Sequence, residues 1–374
     1  MQIINDVQLD FSDVLIRPRR SSIDSRSKVD ITREYKFKWC PLEITGTGIM
    51  QANMGTIGNF DVSRKMLENG LFACLHKYHD INDLIDFYKE LIDKGDDTWK
   101  RCLLGIGLKD GGVYNLRKIE TELGIQVGVK FDVPNGYIPQ VKEKVIELRE
   151  EFPDMFIMVG NVVTGDITED LILSGADCVA VGIGPGGQCL TRPTTGCGRP
   201  QLSAIIECAD AAHQVGGMVC ADGGITCPGD LGKAFGAGAD FIMIGSLFAG
   251  TDEADGELIS KWIFNGEYEP AADGSGFEPH LELKDFKQFY GMSSTLAQEK
   301  FGNGKPKYRA SEGRVSLVPY VGPIDGVIEE LLGGLRSTMT YIGAWKLKNI
   351  PKQCTFYKVH NQLNRTYEKY TIGK

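Results

Sequence analysis

Short apolar runs recur along the chain and alternate with longer amphipathic segments. Eight of these runs, spaced by about 20 to 40 residues, have the length and composition of buried strands. The predicted strands are residues 48–52, 72–76, 102–106, 127–133, 155–159, 178–181, 218–221 and 241–244. The segments between them carry apolar residues at helical spacing, and the predicted helices are residues 62–68, 81–92, 138–151, 167–174, 201–215 and 231–236.

Strands that alternate with helices indicate parallel pairing through crossover connections. Eight such units favour an α/β fold in which a closed (β/α)8 TIM barrel forms a single domain over residues 1–374. A doubly wound open sheet is the alternative, and it is disfavoured because no GxGxxG sequence follows the first strand.

The predicted strands end in residues that can do chemistry. These residues are Asn53, Lys77, Asp132, Asn161, Cys189, Asp222, Gly245 and Ser246. Active sites of TIM barrels lie at this face, and glycine-rich turns after the last two strands are its usual phosphate site. The sequence therefore predicts an anion site near Asp222-Gly-Gly and Gly245-Ser246.

Two later segments interrupt the pattern. Residues 265–280 are rich in Gly, Pro, Asp and Glu and lack periodicity, which indicates either a mobile insertion or a solvated surface loop. Residues 298–313 contain a glycine-rich stretch followed by a dense polar run. We expect them to form a lid over the active site.

Composition and net charge disfavour some classes of binding partner. The net charge of -9 argues against nucleic acid or an anionic membrane as the main partner. No apolar run approaches the roughly 20 residues of a membrane span, and the first ten residues do not have the pattern of a signal peptide. The 10 cysteines form no CxxC pair, so a structural zinc site is not expected. We expect a cytoplasmic protein whose thiols are reduced.

The glycine-rich loop at residues 184–192 is the strongest candidate for chemistry. It holds Cys189 among small residues, with Thr191 and Arg192 close behind, and amide-rich, cationic surroundings activate a thiol. The alternative is a small buried thiol without a function. Thr191 and Glu312 would form an acid/base pair if the polar run folds over this loop.

Three further residues have two interpretations each. Lys77 either binds an anionic cofactor group or ends its strand in solvent. Asp222 either binds ribose hydroxyls or belongs to an Asp-Gly turn. His213, on a predicted helix, is expected to be structural.

Several long motifs resemble one family over almost the whole chain. They are LDFSDVLIRP (residues 9–18), NVVTG (161–165), PQLSAIIECAD (200–210), ADGGITCPGD (221–230), YGMSS (290–294), YRASEG (308–313) and GGLRSTMT (333–340). In these motifs the chain resembles the IMP dehydrogenases and GMP reductases, and most closely the reductases. The resemblance implies a TIM barrel and a homotetramer.

The resemblance also implies a reaction, the NADPH-dependent reductive deamination of GMP to IMP and ammonia. Cys189 would attack C2 of the purine to give a thioimidate, with Thr191 and Glu312 moving protons. A purine nucleoside monophosphate would contact Asp222, Gly223, Gly224, Gly245, Ser246, Tyr290, Gly291, Met292, Ser293, Arg309, Ala310, Ser311 and Gly313.

Two further ligands follow from the same resemblance. NADPH would lie along Ser25, Arg26, Lys77, Asp132, Val133, Pro134, Ile183, Gly184, Tyr308, Ser337, Thr338, Met339 and Thr340. A potassium ion would bind carbonyl groups of Gly184, Gly186 and Cys189, together with Arg192.

Spacing favours the reductase. A dehydrogenase must hydrolyse the thioimidate, and in that branch a long flap with an Arg-Tyr pair follows the Gly-Met motif; no such insertion separates Met292 from Arg309 here. An NAD-dependent IMP dehydrogenase that forms XMP stays as the alternative. A nucleotide-binding relative without catalysis is a third reading, which the presence of Cys189, Thr191 and Glu312 disfavours.

The chain also departs from the family pattern. Gly187 and Leu190 replace a serine and a threonine of the catalytic loop, Gly55 replaces an aspartate, and Pro134 replaces an alanine. These differences allow a shifted substrate, such as a deoxynucleotide or a modified guanine nucleotide.

Overall fold

A computed structural model describes residues 3–95, 97–109, 111–270, 275–301 and 310–359. Its strands, in chain order, are β1 (Val14–Ile16), β2 (Arg33–Tyr35), β3 (Ile44–Gln51), β4 (Leu71–Leu75), β5 (Cys102–Ile106), β6 (Val129–Asp132), β7 (Ile157–Val162), β8 (Cys178–Val181), β9 (Met218–Asp222), β10 (Phe241–Ile244), β11 (Leu258–Pro270), β12 (Phe277–Tyr290), β13 (Val315–Pro319) and β14 (Phe356–Lys358).

The helices, in the same order, are α1 (Phe60–Glu68), α2 (Ile81–Asp93), α3 (Gly111–Leu123), α4 (Pro139–Glu151), α5 (Gly165–Leu173), α6 (Thr191–Thr195), α7 (Gln201–Gln214), α8 (Pro228–Gly236), α9 (Thr295–Phe301), α10 (Ile324–Ile342) and α11 (Ile350–Gln353). Short 3-10 turns lie at Phe11–Asp13, Arg26–Lys28, Thr98–Arg101 and Leu347–Asn349. None of the helices described here is both long enough and apolar enough to cross a membrane.

Strands β3 to β10 form a closed parallel barrel. Each strand pairs with the next one along the chain, and β10 pairs with β3 through Ile242 opposite Ile49. This closure confirms the predicted TIM barrel and excludes the open doubly wound sheet. All eight predicted strands and all six predicted helices are present, with ends that differ by a few residues.

The bottom of the barrel is filled by aromatic side chains. Tyr35, on β2, stacks on Phe241 with ring centroids 4.5 Å apart and meets the edge of Phe72 at 5.4 Å. Gly48 leaves the room that this packing needs, because a Cβ atom there would lie 2.3 Å from the Tyr35 hydroxyl oxygen. The amino-terminal end of the barrel is therefore closed, and access is left at the other end.

Two long helices were not predicted. Helix α3 begins with Gly111-Gly112, and α10 contains Gly333-Gly334, so glycine weakens the helical signal in both. In α10 the cause is packing: a Cβ atom at Gly334 would lie 2.3 Å from the Cβ atom of Pro228 on α8.

A long hairpin rises from the barrel after β10. Strands β11 and β12 pair from Leu258 opposite Lys287 to Pro270 opposite Phe277, with an irregularity between Phe264 and Tyr268, and β13 adds a third strand. The surface loop considered for residues 265–280 is therefore wrong for residues 265–270 and 277–280, which belong to strands. Pairing between the two strands stabilises this segment, although its sequence has no periodic pattern that would predict strands. The mobility of this insertion stays a prediction.

Candidate active site

A cavity of about 310 Å³ lies at the carboxyl ends of the barrel strands. Its lining includes Asn53, Met54, residues 132–134, Asn161, residues 182–189, Thr191, residues 222–226, Gly245, Ser246, residues 291–293, Glu312 and Gly313. Most of the predicted site residues are thus brought together from six strand ends and from the segment after β12.

Cys189, Thr191 and Glu312 form a continuous chain of contacts. The Cys189 thiol donates to Thr191 Oγ1 at 3.2 Å, and the Thr191 hydroxyl donates to Glu312 Oε2 at 2.8 Å. Cys189 is partly exposed and lines the cavity. The arrangement provides a thiol nucleophile and a two-step path by which its proton can reach a carboxylate.

The backbone fixes this arrangement. The Leu190 amide donates to the Glu312 carbonyl at 2.6 Å, and Cys189 forms a β-bridge with Gly313. Glu312 is separated from Thr191 by 121 positions in the sequence. The structure thus places the end of the predicted lid, residues 310–313, against the glycine-rich loop that carries Cys189. Residues 298–301 of the predicted lid belong to helix α9. Residues 302–309, which include Tyr308 and Arg309, lie outside the described residues.

The predicted anion site lies on the same cavity wall. Gly223 and Gly224 have φ angles of +87° and +84°, a conformation that glycine adopts without strain. Both residues line the cavity together with Gly245 and Ser246. Consecutive amides in such turns form concavities that bind anions.

The predicted base-binding residues divide into two groups. Gly291, Met292, Ser293 and Gly313 line the cavity. Among the described residues, Tyr290, Ala310 and Ser311 are not on its lining. The Ser311 Oγ atom instead lies 3.0 Å from the Gly313 carbonyl and 3.2 Å from the Ser293 carbonyl, and its single proton is donated to one of them at a time. The hydroxyl thus lies between the two segments that carry the lining residues.

The structure explains Gly55, one of the positions at which the chain departs from the family pattern. Its amide donates to the Met292 sulfur at 3.0 Å. A Cβ atom at this position would lie 2.7 Å from the Phe301 ring. Phe301 therefore fills the space that a side chain at position 55 would need. Gly187, in contrast, faces open space.

The opposite wall of the cavity carries part of the predicted cofactor site. Asp132, Val133, Pro134, Ile183 and Gly184 line it. Burial tends to raise the pKa of Asp132, but Lys130 and, more weakly, Lys77 and Asn53 lower it below the usual value. Lys77 is exposed and lies near this carboxylate, which suits a cation that meets an anionic ligand.

The remaining described cofactor candidates lie elsewhere. The turn that carries Arg26 packs against α10, which carries residues 337–340, and none of these residues lines the cavity. Met339 is fully buried, and Ser337, Thr338 and Thr340 donate to carbonyls of their own helix. Met339 is therefore unsuited to contact a ligand through its side chain.

The loop predicted to bind potassium offers carbonyl oxygens. Gly184 has a φ of +78°, and the Gly186 carbonyl accepts the Cys189 amide at 2.9 Å. The Arg192 guanidinium pairs with Asp10 at 3.3 Å and donates to the carbonyls of Ile183 and Arg199. Because a guanidinium is itself a cation and donates only, Arg192 can contribute to such a site only through its carbonyl.

Several lining residues were not assigned a role from the sequence. Asn53, Asn161, Gln188 and Thr226 line the cavity, and Lys130 lies just beneath it against Asp132 and Asn161. A signal for Lys130 did exist: it is a lysine inside an apolar strand, two positions before Asp132, and alternate residues of a strand share one face.

The fold and this cavity define the class of the protein. It is a TIM barrel with a thiol, a threonine and a glutamate at the mouth, next to glycine turns of the kind that bind phosphate. The model of the "IMP dehydrogenase / GMP reductase domain" matches residues 8–365, and the chain belongs to the IMP dehydrogenase / GMP reductase family.

Curated relatives match over nearly the full length. A GMP reductase of Vibrio parahaemolyticus is 43% identical over 369 residues, which cover 99% of both chains. A GMP reductase of Aliivibrio salmonicida is also 43% identical, over 99% of this chain and 100% of its own. A GMP reductase of Vibrio cholerae is 43% identical over 98% of this chain and 99% of its own.

Proposed function

We propose that this protein is an oxidoreductase that converts GMP to IMP and ammonia with NADPH as reductant. The observation that carries the proposal is the contact chain from Cys189 through Thr191 to Glu312, beside glycine turns suited to a phosphate. The relatives named GMP reductase match over 99% of this chain, which supports the same reaction.

The first half of the reaction uses the thiol. The Cys189 sulfur attacks C2 of the purine, and its proton passes by way of Thr191 and Glu312 to the amino group on C2. The C2–N bond then breaks, ammonia leaves, and a thioimidate joins C2 to the sulfur. The acid/base pair is needed because an amino group leaves readily only when it is protonated.

The second half releases the product. NADPH, when bound, supplies a hydride to C2. Asp132, Val133 and Pro134 line the cavity on the side where that cofactor would lie, with Lys77 near Asp132. The C–S bond breaks, IMP leaves, and Cys189 is restored as a thiolate. Because its first proton left with ammonia, the thiolate takes up a new proton from water by way of Glu312 and Thr191.

The same walls position the substrate. The amides of Gly223, Gly224 and Gly245 would hold the phosphate, and Asp222 would accept hydrogen bonds from the ribose. Met292 and Ser293 would face the base. These contacts would bring C2 to the sulfur in an orientation that favours attack.

Potassium would have an ordering role. The carbonyls of Gly184, Gly186 and Cys189 belong to the loop that carries the nucleophile, and carbonyl oxygens are suitable ligands for a hard cation. An ion held by them would fix the loop without taking part in bond making.

The homotetramer and the cytoplasmic location belong to the same proposal. All ten cysteines are free thiols, which supports a reducing compartment. Sedimentation of the purified protein would give the mass of four chains, and a monomer at all concentrations would contradict that part.

A product assay tests the reaction. Purified protein with potassium is given GMP, dGMP or IMP together with NADPH, NADH or NAD, and the nucleotide products and ammonia are measured. We expect NADPH oxidation with equal amounts of IMP and ammonia from GMP. Reduction of NAD with formation of XMP from IMP would instead establish the dehydrogenase, and turnover of dGMP alone would shift the substrate.

Replacement of the nucleophile is the second test. Cys189→Ala should abolish turnover and leave GMP binding measurable by calorimetry, because the anion site and Asp222 are untouched. Cys197→Ala, an exposed thiol in the next turn, is the matched control and should keep full activity. Residual turnover in Cys189→Ala above about one thousandth of the original rate would contradict a covalent path through this sulfur.

A further inference from the structure

A fully buried lysine lies beneath the cavity, in the middle of strand β6. Lys130 has no exposed surface, and its Nζ atom is 2.8 Å from Asp132 Oδ1 and 3.2 Å from Asn161 Oδ1. Asp222 Oδ2 is 3.9 Å away. Burying an ammonium group is costly unless charged partners compensate it, so this lysine requires an explanation.

Lys130 touches both walls of the cavity through its neighbours. Asp132 lines the side proposed for the cofactor, and Asp222 lines the side proposed for the ribose. Lys130 contacts Asp132 directly. It reaches Asp222 mainly through Asn161, whose Nδ2 atom donates to Asp222 Oδ2 at 2.7 Å and to the Gly182 carbonyl at 2.9 Å.

The ammonium group fixes the orientation of Asn161. An ammonium can only donate, so the oxygen of the Asn161 amide must face Lys130. The NH2 group then has to point toward Asp222 and Gly182. Without this charged donor the amide oxygen loses its ammonium partner, and only the Gly182 carbonyl and Asp222 itself still hold the NH2 group in place.

The charges around Lys130 also decide the state of the carboxylates. Burial opposes the charge of Lys130, but Asp132 and Asp222 raise its pKa above the usual value. Burial raises the pKa of Asp222, against the opposing effects of Lys130 and Asn161.

The other titratable groups near this cluster are Lys77, which lowers the pKa of Asp132, and three buried thiols. Burial raises the pKa values of Cys74, Cys178 and Cys220 well above the usual value, so these thiols are neutral. Lys130 is therefore the main counter-charge that Asp132 and Asp222 share.

We propose that Lys130 is a positioning residue that holds Asp132 by a direct ion pair and, through Asn161, directs Asp222 into the cavity, so that one buried ammonium prepares the cofactor side and the substrate side together. The assignment of these two sides rests on the function proposed above. The relay from Lys130 to Asn161 and Asp222 rests on the distances alone.

Lys130→Met tests this role, because methionine fills similar space and carries no charge. We expect KM to rise for GMP and for NADPH, with kcat/KM lower by at least about tenfold for each. The acid limb of the pH profile of kcat/KM should move upward by about one unit, because a carboxylate that has lost its counter-charge takes up a proton more readily.

Lys287→Met is the matched control. Lys287 is also a buried lysine, but its Nζ atom donates to the carbonyls of Asp252 and Ala254, and it does not line the cavity. This variant should lose stability and keep the pH profile. If Lys130→Met keeps the acid limb and both KM values of the wild type, or changes only as Lys287→Met does, Lys130 has no positioning role.

A second variant separates the effect of the charge from that of hydrogen bonding. It also keeps the proposal testable if Lys130→Met does not fold. Lys130→Gln can still donate to Asp132 and Asn161, so GMP affinity should be near normal at high pH and fall earlier than in the wild type as pH decreases. Calorimetric titration with GMP measures this without turnover. It therefore decides the role of Lys130 even if the protein does not reduce GMP, and an unchanged pH dependence of binding would overturn the proposal.

Discussion

At the mouth of the barrel, the chemistry proposed for Cys189 depends on contacts between individual atoms. Its thiol meets one hydroxyl, and that hydroxyl meets one carboxylate oxygen. Neither Thr191 nor Glu312 is a strong base in isolation, and their role requires the short path between them. Removal of either member should therefore have the same consequence.

We expect Thr191→Val and Glu312→Gln each to lower kcat by about 10²- to 10⁴-fold, the range for general acid–base catalysis. The double variant should be little slower than either single variant, because both changes interrupt one path. Steady-state kinetics with GMP and NADPH measure this. Thr194→Val, at an exposed threonine on the same short helix that does not line the cavity, is the matched control and should retain kcat within a small factor. Additive losses in the double variant would show that the two residues act separately.

A buried ion pair at the closed end of the barrel connects helix α4 to the barrel strands. Asp177, which precedes β8, is fully buried and accepts hydrogen bonds from the amides of Trp39, Cys40 and Ile157 at 2.9 to 3.0 Å. Arg149, on α4, pairs with it at 2.7 Å. Burial raises the pKa of Asp177 despite these partners, so this carboxylate depends on all of them.

Arg149→Met should lower the free energy of unfolding by about 3 kcal/mol or more, because it leaves a buried carboxylate without its counter-charge. Urea unfolding followed by circular dichroism measures this. Lys142→Met is the control on the same helix: its pair with Asp170 is half exposed, so the loss should stay below about 1 kcal/mol. Equal losses in the two variants would contradict the importance of burial.

The sequence predicted the elements of the barrel well, because one physical cause determines them. The parallel strands are buried on both faces, so their sequences are continuous apolar runs such as Cys178–Val181. The hairpin Leu258–Tyr290 was missed because both of its faces reach solvent over most of its length, and no burial pattern marks it. The short α6, five residues long, depends on the loop around it and not on periodicity.

For the molecule as a whole, the free energy of unfolding depends on pH through buried groups that take no part in the proposed reaction. His76 is 7% exposed, stacks on His79 at 3.8 Å, and accepts the Tyr78 amide on Nδ1. Burial, followed by the proximity of His79, lowers the pKa of His76 to about 3. The folded protein therefore holds His76 neutral where the unfolded chain would protonate it.

The contribution of His76 has a definite sign. Its pKa is about 3 in the folded protein and about 6.5 in the unfolded chain, so the unfolded chain binds more protons between these values. Stability from neutral His76 is fully present above pH 6.5 and is lost progressively as pH falls toward 3. At pH 5 the loss should be about 2 kcal/mol.

Urea unfolding at pH 7 and pH 5 tests this. The wild type should lose about 2 kcal/mol more than His76→Gln does between the two pH values, because glutamine can accept the same amide but does not titrate. If both proteins lose the same amount, His76 is not the source of the acid sensitivity.

The amino-acid sequence was enough to predict the barrel, the glycine-rich loop of Cys189 and the residue types that line the cavity. Strands that are buried on both faces have apolar sequences, and turns with positive φ angles favour glycine, so both leave a local signal. Which of these residues meet depends on the fold. Glu312 lies against Thr191 because a β-bridge joins Cys189 to Gly313, and Lys130 binds Asp132 and Asn161 because neighbouring strands pair in one register. Such contacts depend on distances between remote segments, which local sequence does not record.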